Sequence, residues 1–362
     1  MNYSRLIPRL LCVILIPFFM PTLPGIAQEN QTIMTKAKEF LGTLNVDELK
    51  TTIYDFSDTL RYKWTNLPVG LVPRLGIAYG ALSDASRLSF HHVLAALLSS
   101  QGYLKTTSIM QLDDILNVLY QDLYDKGKMD KNQLARIQDL KWAHGNYYIS
   151  IWGRPDATKP WGLNFGGHHM ALSFTHQGGR ISMSPYFIGT DPSEVKSLKY
   201  AGLRILSKEE DYGFMLVNML DNQQKNKAVL KQDVPKDIIT SPNSSQRIDT
   251  YYGLPVKEMS KDQITILKLL IQEYTHNFAH QKAHQLYSKI EKSGVKKIYF
   301  AWIGSLEPNK PHYYIINGPD FLIEYDNVGF QNDGNHIHAI LREKGNDFGA
   351  DILKQHYMEG GH

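Results

Sequence analysis

The chain has a single cysteine, Cys12, and it lies inside an apolar run at the N-terminus. That run spans residues 10–20, follows two arginines and precedes small residues that end at Ala27. It is shorter than the roughly 20 residues that a membrane-spanning helix needs. The pattern therefore predicts a secretory signal over residues 1–27, cleaved after Ala27, and an exported chain in the periplasm or outside the cell.

A mature chain without cysteine has no disulfides, no thiolate nucleophile and no cysteine-ligated metal. Its stability must come from a hydrophobic core. About 335 residues remain after Ala27, and 43% of the full sequence is hydrophobic, so the chain is long enough to bury a large core.

Charge excludes one class of partner. The full chain carries +3, and removing the two arginines of the signal leaves +1. Basic and acidic residues are interspersed, so nucleic-acid binding is not expected. No later stretch is apolar enough to cross a membrane after signal cleavage. The expected partner is a small-molecule substrate or ligand, and the sequence does not indicate an oligomeric state.

The order of the patterns predicts an α+β fold in one domain, residues 28–362. Residues 28–140 have mostly helical spacing, including one apolar helix over residues 88–103 that ends at Gly102. Residues 145–362 mix strands and helices, with a hairpin turn at Gln177-Gly178-Gly179 and a closing helix from Phe348. No internal repeat is evident in the sequence.

The strongest candidate for a chemical site is a predicted hairpin in which FLIEYDN and HIH flank a polar connection. If Asp326 pairs with His336 and Glu324 pairs with His338, all four side chains lie on one face, because side chains alternate along a strand. A shift of two residues keeps this grouping, whereas a shift of one destroys it.

Two imidazoles and two carboxylates on one face can bind a divalent metal or act as a general acid and base. The alternative interpretation is the exposed polar face of an edge hairpin with ordinary cross-strand charge pairs. An HxH pattern on a strand is only moderately specific for metal.

Two further stretches carry candidate residues. His168 and His169 follow two glycines in a strand-like segment, where neighbouring side chains point to opposite faces, so at most one of them is expected to join a shared site. Glu307 and His312 lie at the two ends of a loop that two prolines stiffen. A bulge and a simple turn are the alternative interpretations of these stretches.

One histidine pattern is assigned to the surface. His276, His280 and His284 recur at intervals of four on a predicted helix, which by itself is typical of a metal site. Their neighbours are polar and charged, so we expect an exposed row without a metal.

Several motifs occur together in this chain. They are Trp161-Gly162-x-x-Phe165-x-Gly167-His168-His169, Glu307-Pro308-x-x-Pro311-His312, Gly318-Pro319-x-Phe321, Glu324-Tyr325-Asp326-Asn327 and Asn335-His336-Ile337-His338. Together they resemble the family called domain of unknown function 3500, over nearly the whole mature chain. The resemblance implies one continuous unit and a set of pattern residues: His168, His169, Glu307, His312, Glu324, Asp326, His336 and His338. It supplies no activity.

The leading hypothesis is a site for one divalent ion. His336, His338 and one of His168 or His169 would bind zinc, iron, manganese or copper, with Glu324 as a fourth ligand or a nearby base. Zinc would favour hydrolysis, and iron or copper would favour redox chemistry.

Two other functions are open. A metal-free enzyme would use His312 or His338 as a base that Glu307 or Glu324 orients, with Asp326 on the same face. A non-catalytic exported protein would bind a small molecule in an aromatic pocket that includes Trp152, Trp161, Tyr313 and Tyr314.

Overall fold

The computed structural model describes residues 26–242, 246–329 and 332–360. The predicted signal sequence lies, except for its last two residues, outside the described residues. Within these ranges, no helix has both the length and the apolar character that crossing a bilayer requires.

The described residues form ten α-helices. They are α1 (Ile26–Gly42), α2 (Val46–Thr52), α3 (Asp84–Leu97), α4 (Ser100–Asp125), α5 (Lys131–Gln138), α6 (Ser207–Asn218), α7 (Asn222–Ala228), α8 (Lys261–Thr275), α9 (His280–Gly294) and α10 (Ala350–Gly360). Most begin at a side chain that accepts a backbone N–H of the first turn: Asn45, Ser83, Ser99, Asp130, Asp221 and Ser260. Such caps satisfy donors that the helix itself leaves free.

The described residues also form twelve strands of one mixed sheet. They are β1 (Ile53–Tyr54), β2 (Ile77–Ala78), β3 (Tyr148–Trp152), β4 (Trp161–Gly166), β5 (Met170–Gln177), β6 (Arg180–Ser182), β7 (Tyr186–Thr190), β8 (Leu254–Pro255), β9 (Tyr299–Gly304), β10 (His312–Asn317), β11 (Phe321–Asn327) and β12 (Ile337–Glu343).

The strand order is β1-β3-β4-β5-β7-β12-β11-β10-β9-β8, with β2 beside β3 and β6 beside β5. Only β1 and β3 are parallel neighbours in this sheet. The α+β prediction is confirmed, as are the hairpin between β5 and β6 and the four strands β9 to β12.

Eight of the twelve strands form two four-stranded meanders, a structural repeat that the sequence does not display. β3-β4-β5-β7 and β9-β10-β11-β12 have the same order, and they meet where β7 pairs antiparallel with β12. Trp161 pairs with His176 in the first meander, and His312 pairs with Asn327 in the second, both shifted by the same 151 positions.

The helices repeat in the same way. A seven-residue helix with a capping box, α2 or α7, opens each unit, and a Ser-capped helix, α3 or α8, follows a short strand. The two units therefore lie about a pseudo-twofold axis between β7 and β12.

The two faces of the sheet are covered differently. Odd-numbered residues of β11 and β12, such as Ile323 and Leu341, belong to the large core that the helices complete. Even-numbered residues face two irregular segments, one before β2 and one before β8, through small clusters that include Trp64 and Ile238. Glu324, Asp326 and His338 lie on this second face.

Two helix predictions are wrong in their bounds. The helix predicted over residues 88–103 is divided at Leu98, because Leu98 bridges to Phe278 and Ser99 caps the new helix α4. His276, His280 and His284 do not share one helix, since α8 ends at Thr275 and α9 begins at His280. All three are exposed, as expected.

Candidate metal centre

Three histidines meet at one end of the central strands. His169 lies in the turn between β4 and β5, His336 directly precedes β12, and His338 is in β12. β7 lies between β5 and β12, so the start of β5 and the start of β12 come close across a single strand. The antiparallel meander thus joins two histidine stretches that are 167 residues apart in sequence.

Gly189 of β7 makes room for this meeting. It pairs with His338, and its N–H donates to the carbonyl of His169 at 2.8 Å. A Cβ at this position would lie 2.9 Å from Cδ2 of His169 and 3.2 Å from Cδ2 of His338. Any larger residue would push the two rings apart.

The Nε2 atoms of the three rings converge. Nε2 of His336 lies 2.9 Å from Nε2 of His169 and 3.1 Å from Nε2 of His338. The three potential ligand atoms all lie within 4.8 Å of one another. With metal–nitrogen bonds of about 2.1 Å, the two short distances correspond to angles of roughly 90° at a shared ion.

Carboxylates lie beside Nδ1 of two of these rings, on the side away from Nε2. Nδ1 of His338 lies 2.8 Å from Asp237 Oδ1 and 3.9 Å from Asp326 Oδ2. Nδ1 of His336 lies 3.5 Å from Asp191 Oδ2. A proton on Nδ1 that faces a carboxylate leaves the lone pair of Nε2 directed at the common point.

His168 supports the cluster from behind. Its ring stacks on His169 with centroids 3.6 Å apart, and Trp142 stacks on it at 5.5 Å. Its Nδ1 lies 3.2 Å from Asp113, which also accepts a hydrogen bond of 2.9 Å from the Tyr147 hydroxyl. Asp113, His168 and His169 form a second group with ligand spacing, and Asp237, Asp326 and His338 form a third.

Burial sets the protonation of these rings. Burial and then the neighbouring imidazoles lower the pKa of His169 and of His336 well below the usual range, so both are neutral. Burial opposes the charged form of His338 too, but the hydrogen bond to Asp237 and the nearby carboxylates raise its pKa. Burial and then the charge of Asp113 raise the pKa of Asp191 to about 7.

The predicted hairpin forms with a different register. Asp326 pairs with His338, not His336, and Glu324 pairs with Ile340. This is the two-residue shift that keeps residue parity, so Glu324, Asp326 and His338 still share a face. His336 lies before the strand, where its N–H donates to the side chain of Asn327.

Glu324 is occupied away from the converging nitrogens. Its carboxylate accepts hydrogen bonds from the hydroxyls of Tyr313 and Thr240 and from the N–H groups of Ile239 and Thr240. These contacts fix the segment that carries Asp237. The structure thus places Glu324 where it supports Asp237, which in turn contacts His338.

The residues of the predicted Pro-rich loop lie elsewhere. Glu307 is exposed and pairs with Lys310. His312 is fully buried, stacks on Trp302, and its Nε2 lies 3.9 Å from Glu210. Glu307 therefore does not orient His312, and Glu324 does not orient His338. Both expectations are wrong.

The predicted aromatic pocket does not form as one site. Trp161 packs in the helix-covered core, and Tyr314 stacks on Tyr325 there. Tyr313 contacts Glu324 on the other face. Among these residues only Trp152 lines a described cavity.

A cavity of about 240 Å³ lies beside His336, the one converging histidine in its lining. His336, Asp191, Tyr120 and Asp333 line it, together with leucines of α4. Sequence reasoning missed Asp113, Asp191, Asp237 and Gly189. Asp237 lies in an irregular segment and Asp113 in a long helix, and neither has a local pattern that distinguishes it from a surface carboxylate.

Comparison with known proteins gives one match. A family model described as "Protein of unknown function (DUF3500)" matches residues 27–350. Neither the curated proteins nor the solved structures gave a significant match.

Proposed function

We propose that this chain, which belongs to the family of proteins of unknown function DUF3500, is an exported enzyme that depends on one divalent metal ion. His169, His336 and His338 would hold the ion through Nε2. The proposed reaction class is hydrolysis of a small molecule that enters the cavity beside His336.

The convergence of three Nε2 atoms carries this proposal. Nδ1 of His338 donates to Asp237, so a neutral His338 has a lone pair and no proton on Nε2. Each Nε2–Nε2 contact of 2.9 or 3.1 Å needs a proton or a cation between the two nitrogens, and one divalent ion would serve all three rings at once. The other two groups need no ion, because their short contacts are ordinary hydrogen bonds between histidine and aspartate.

Three protein ligands and an accessible cavity are typical of catalytic rather than structural zinc sites, which are closed by four protein ligands. A bound divalent ion would polarise a substrate carbonyl or phosphoryl oxygen and lower the pKa of a bound water. Asp191 and Asp237 would keep the imidazoles in the binding tautomer. Tyr120 and Asp333 lie in the cavity, where they would contact the substrate.

The test combines metal analysis with activity. We expect purified, untagged protein to contain close to one equivalent of zinc, iron, manganese or copper. Chelation should abolish, and readdition of the native metal restore, cleavage of at least one member of a panel of chromogenic esters, amides and phosphodiesters. Absence of bound metal after incubation with each ion would contradict the proposal, and redox turnover without hydrolysis would reject the reaction class.

Replacing Asp237 by asparagine should weaken metal binding. The substitution keeps the shape of the side chain but removes the charge that faces Nδ1 of His338. Loss of such a carboxylate partner lowers metal affinity roughly 10–100-fold. Competition with a chromogenic chelator measures it. Asp233→Asn, an exposed change four residues earlier in the same segment, is the matched control and should leave the affinity unchanged.

A further inference from the structure

A second cavity, of about 300 Å³, lies on the sheet face opposite the helices. The irregular segment before β2 covers strands β3, β4 and β5 there. Its walls are mainly apolar, and its lining includes Trp64, Tyr148 and Trp152 together with the polar side chains of Asn164 and Ser173. Mostly apolar walls with a few polar groups are usual for small-molecule sites.

The charged residues of this cavity all have the same sign. Arg74 and Lys63 are part of the lining, and the lining contains no aspartate or glutamate. Arg74 makes no ion pair with any carboxylate in the described part of the chain. Its hydrogen bonds go from the two Nη atoms to backbone carbonyls of Thr65, Leu67, Val72 and Gly167.

Carbonyl oxygens carry only partial negative charges, so they do not neutralise the positive charge of the guanidinium. Burial lowers the pKa of Arg74 to about 10, which reflects the cost of removing an uncompensated cation from water. Nε of Arg74 makes no hydrogen bond to the described residues and is available as a donor. An anion in the cavity would both accept this bond and neutralise the charge.

We propose that this cavity binds a small organic anion, a carboxylate on an aromatic or short aliphatic body, with the carboxylate at Arg74 and the apolar body between Trp64 and Trp152. The site is separate from the candidate metal centre. The two sites are neighbours: Arg74 contacts the carbonyl of Gly167, two residues before His169, and Asn66 of the same segment donates to Asp237. The proposal does not depend on a bound metal.

The experiment uses the full mature protein and three probes with one apolar body: 3-phenylpropionate, its neutral amide and 3-phenylpropylamine. Titration calorimetry measures binding of each, and tryptophan fluorescence gives a second readout. We expect the carboxylate to bind roughly 10–100-fold more tightly than the amide, as for a charge-assisted contact. The amine should bind most weakly. Equal affinity for carboxylate and amide, or no binding of any probe, would overturn the proposal.

Variants locate the site. Arg74→Gln should reduce the preference for the carboxylate over the amide to less than about threefold while the amide still binds. Arg74 also holds its own segment in place through its hydrogen bonds. A second variant, at an exposed position, therefore keeps the test valid if Arg74→Gln does not fold. Lys63→Glu should weaken carboxylate binding several-fold, and Lys128→Glu, the same charge change outside the cavity lining, should not. Equal effects of the two lysine variants would overturn the assignment to this cavity.

Discussion

Replacing His169 by alanine is expected to remove the bound metal ion, whereas replacing His168 by alanine is expected to leave it in place. Nε2 of His169 points at Nε2 of His336. His168 instead uses Nδ1 to contact Asp113, and its ring stacks between Trp142 and His169. The two neighbours thus have different roles although both are almost fully buried.

The expected loss of metal affinity in His169→Ala can be estimated from the contribution of one ligand. Structural zinc sites with four protein ligands bind the ion with about 10–16 kcal/mol, which is roughly 2.5–4 kcal/mol for each ligand. Loss of one ligand should therefore weaken binding on the order of 10²–10³-fold. His168→Ala should weaken it far less, because it removes only support behind the ring of His169.

Elemental analysis and competition with a chelator measure both variants. His284→Ala, a change in the exposed histidine row, controls for loss of any histidine and should bind metal like the wild type. Metal lost in both variants would point to the group formed by Asp113, His168 and His169 instead, and metal kept in His169→Ala would contradict the assignment.

The sequence predicted one half of this centre because strand parity is robust. The hairpin register differs from the expected one by two residues, yet Glu324, Asp326 and His338 remain on one face. A period of two is unchanged by an even shift. The roles were harder to predict, because a hydrogen-bonded carboxylate such as Glu324 and a ligand look alike in sequence.

The other half of the centre depends on distant contacts. Asp237 reaches His338 from an irregular segment 101 residues earlier, and Asp113 reaches His168 from a long helix. No local pattern of residues encodes these contacts. The break at Leu98 was missed for the same reason, since Leu98 pairs with Phe278 from the second repeat.

The repeat itself is invisible in the sequence because it conserves register rather than side chains. The turn after β4 is Gly167-His168-His169, and the turn after β10, 151 positions later, is Gly318-Pro319-Asp320. A glycine occurs in both turns, but the histidines occur in the first alone. The two repeats therefore contribute together to one candidate metal centre, at one end of the β7–β12 junction.

Removing Lys105 from a buried ion pair between the repeats should cause a large loss in the free energy of unfolding. Nζ of Lys105 in α4 lies 2.8 Å from Oε1 of Glu209 in α6 and 3.1 Å from Oε2 of Glu273 in α8. Glu209 is fully buried, and its Oε2 has no other hydrogen-bond partner among the described residues. Lys105→Met would leave this carboxylate without a cation, at a cost of about 3–5 kcal/mol in the free energy of unfolding.

The stability lost in Lys105→Met should increase as the pH rises. Burial raises the pKa of Glu209 even beside Lys105, and removing the lysine raises it further. A folded state that holds the proton more tightly than the unfolded state becomes less stable as pH rises above the unfolded pKa. The deficit of Lys105→Met should therefore be smaller at pH 5 than at pH 8, because protonated Glu209 needs no cation.

Denaturant unfolding of the wild type, Lys105→Met and Lys105→Met/Glu209→Leu at both pH values measures these terms. The double variant should regain most of the lost stability, since an apolar pair replaces a buried ion pair at little cost. Lys268→Met, which breaks a solvent-exposed pair with Glu291, is the control and should cost less than about 1 kcal/mol. A double variant as unstable as Lys105→Met would mean that packing of the lysine stem, rather than the stranded charge of Glu209, sets the loss.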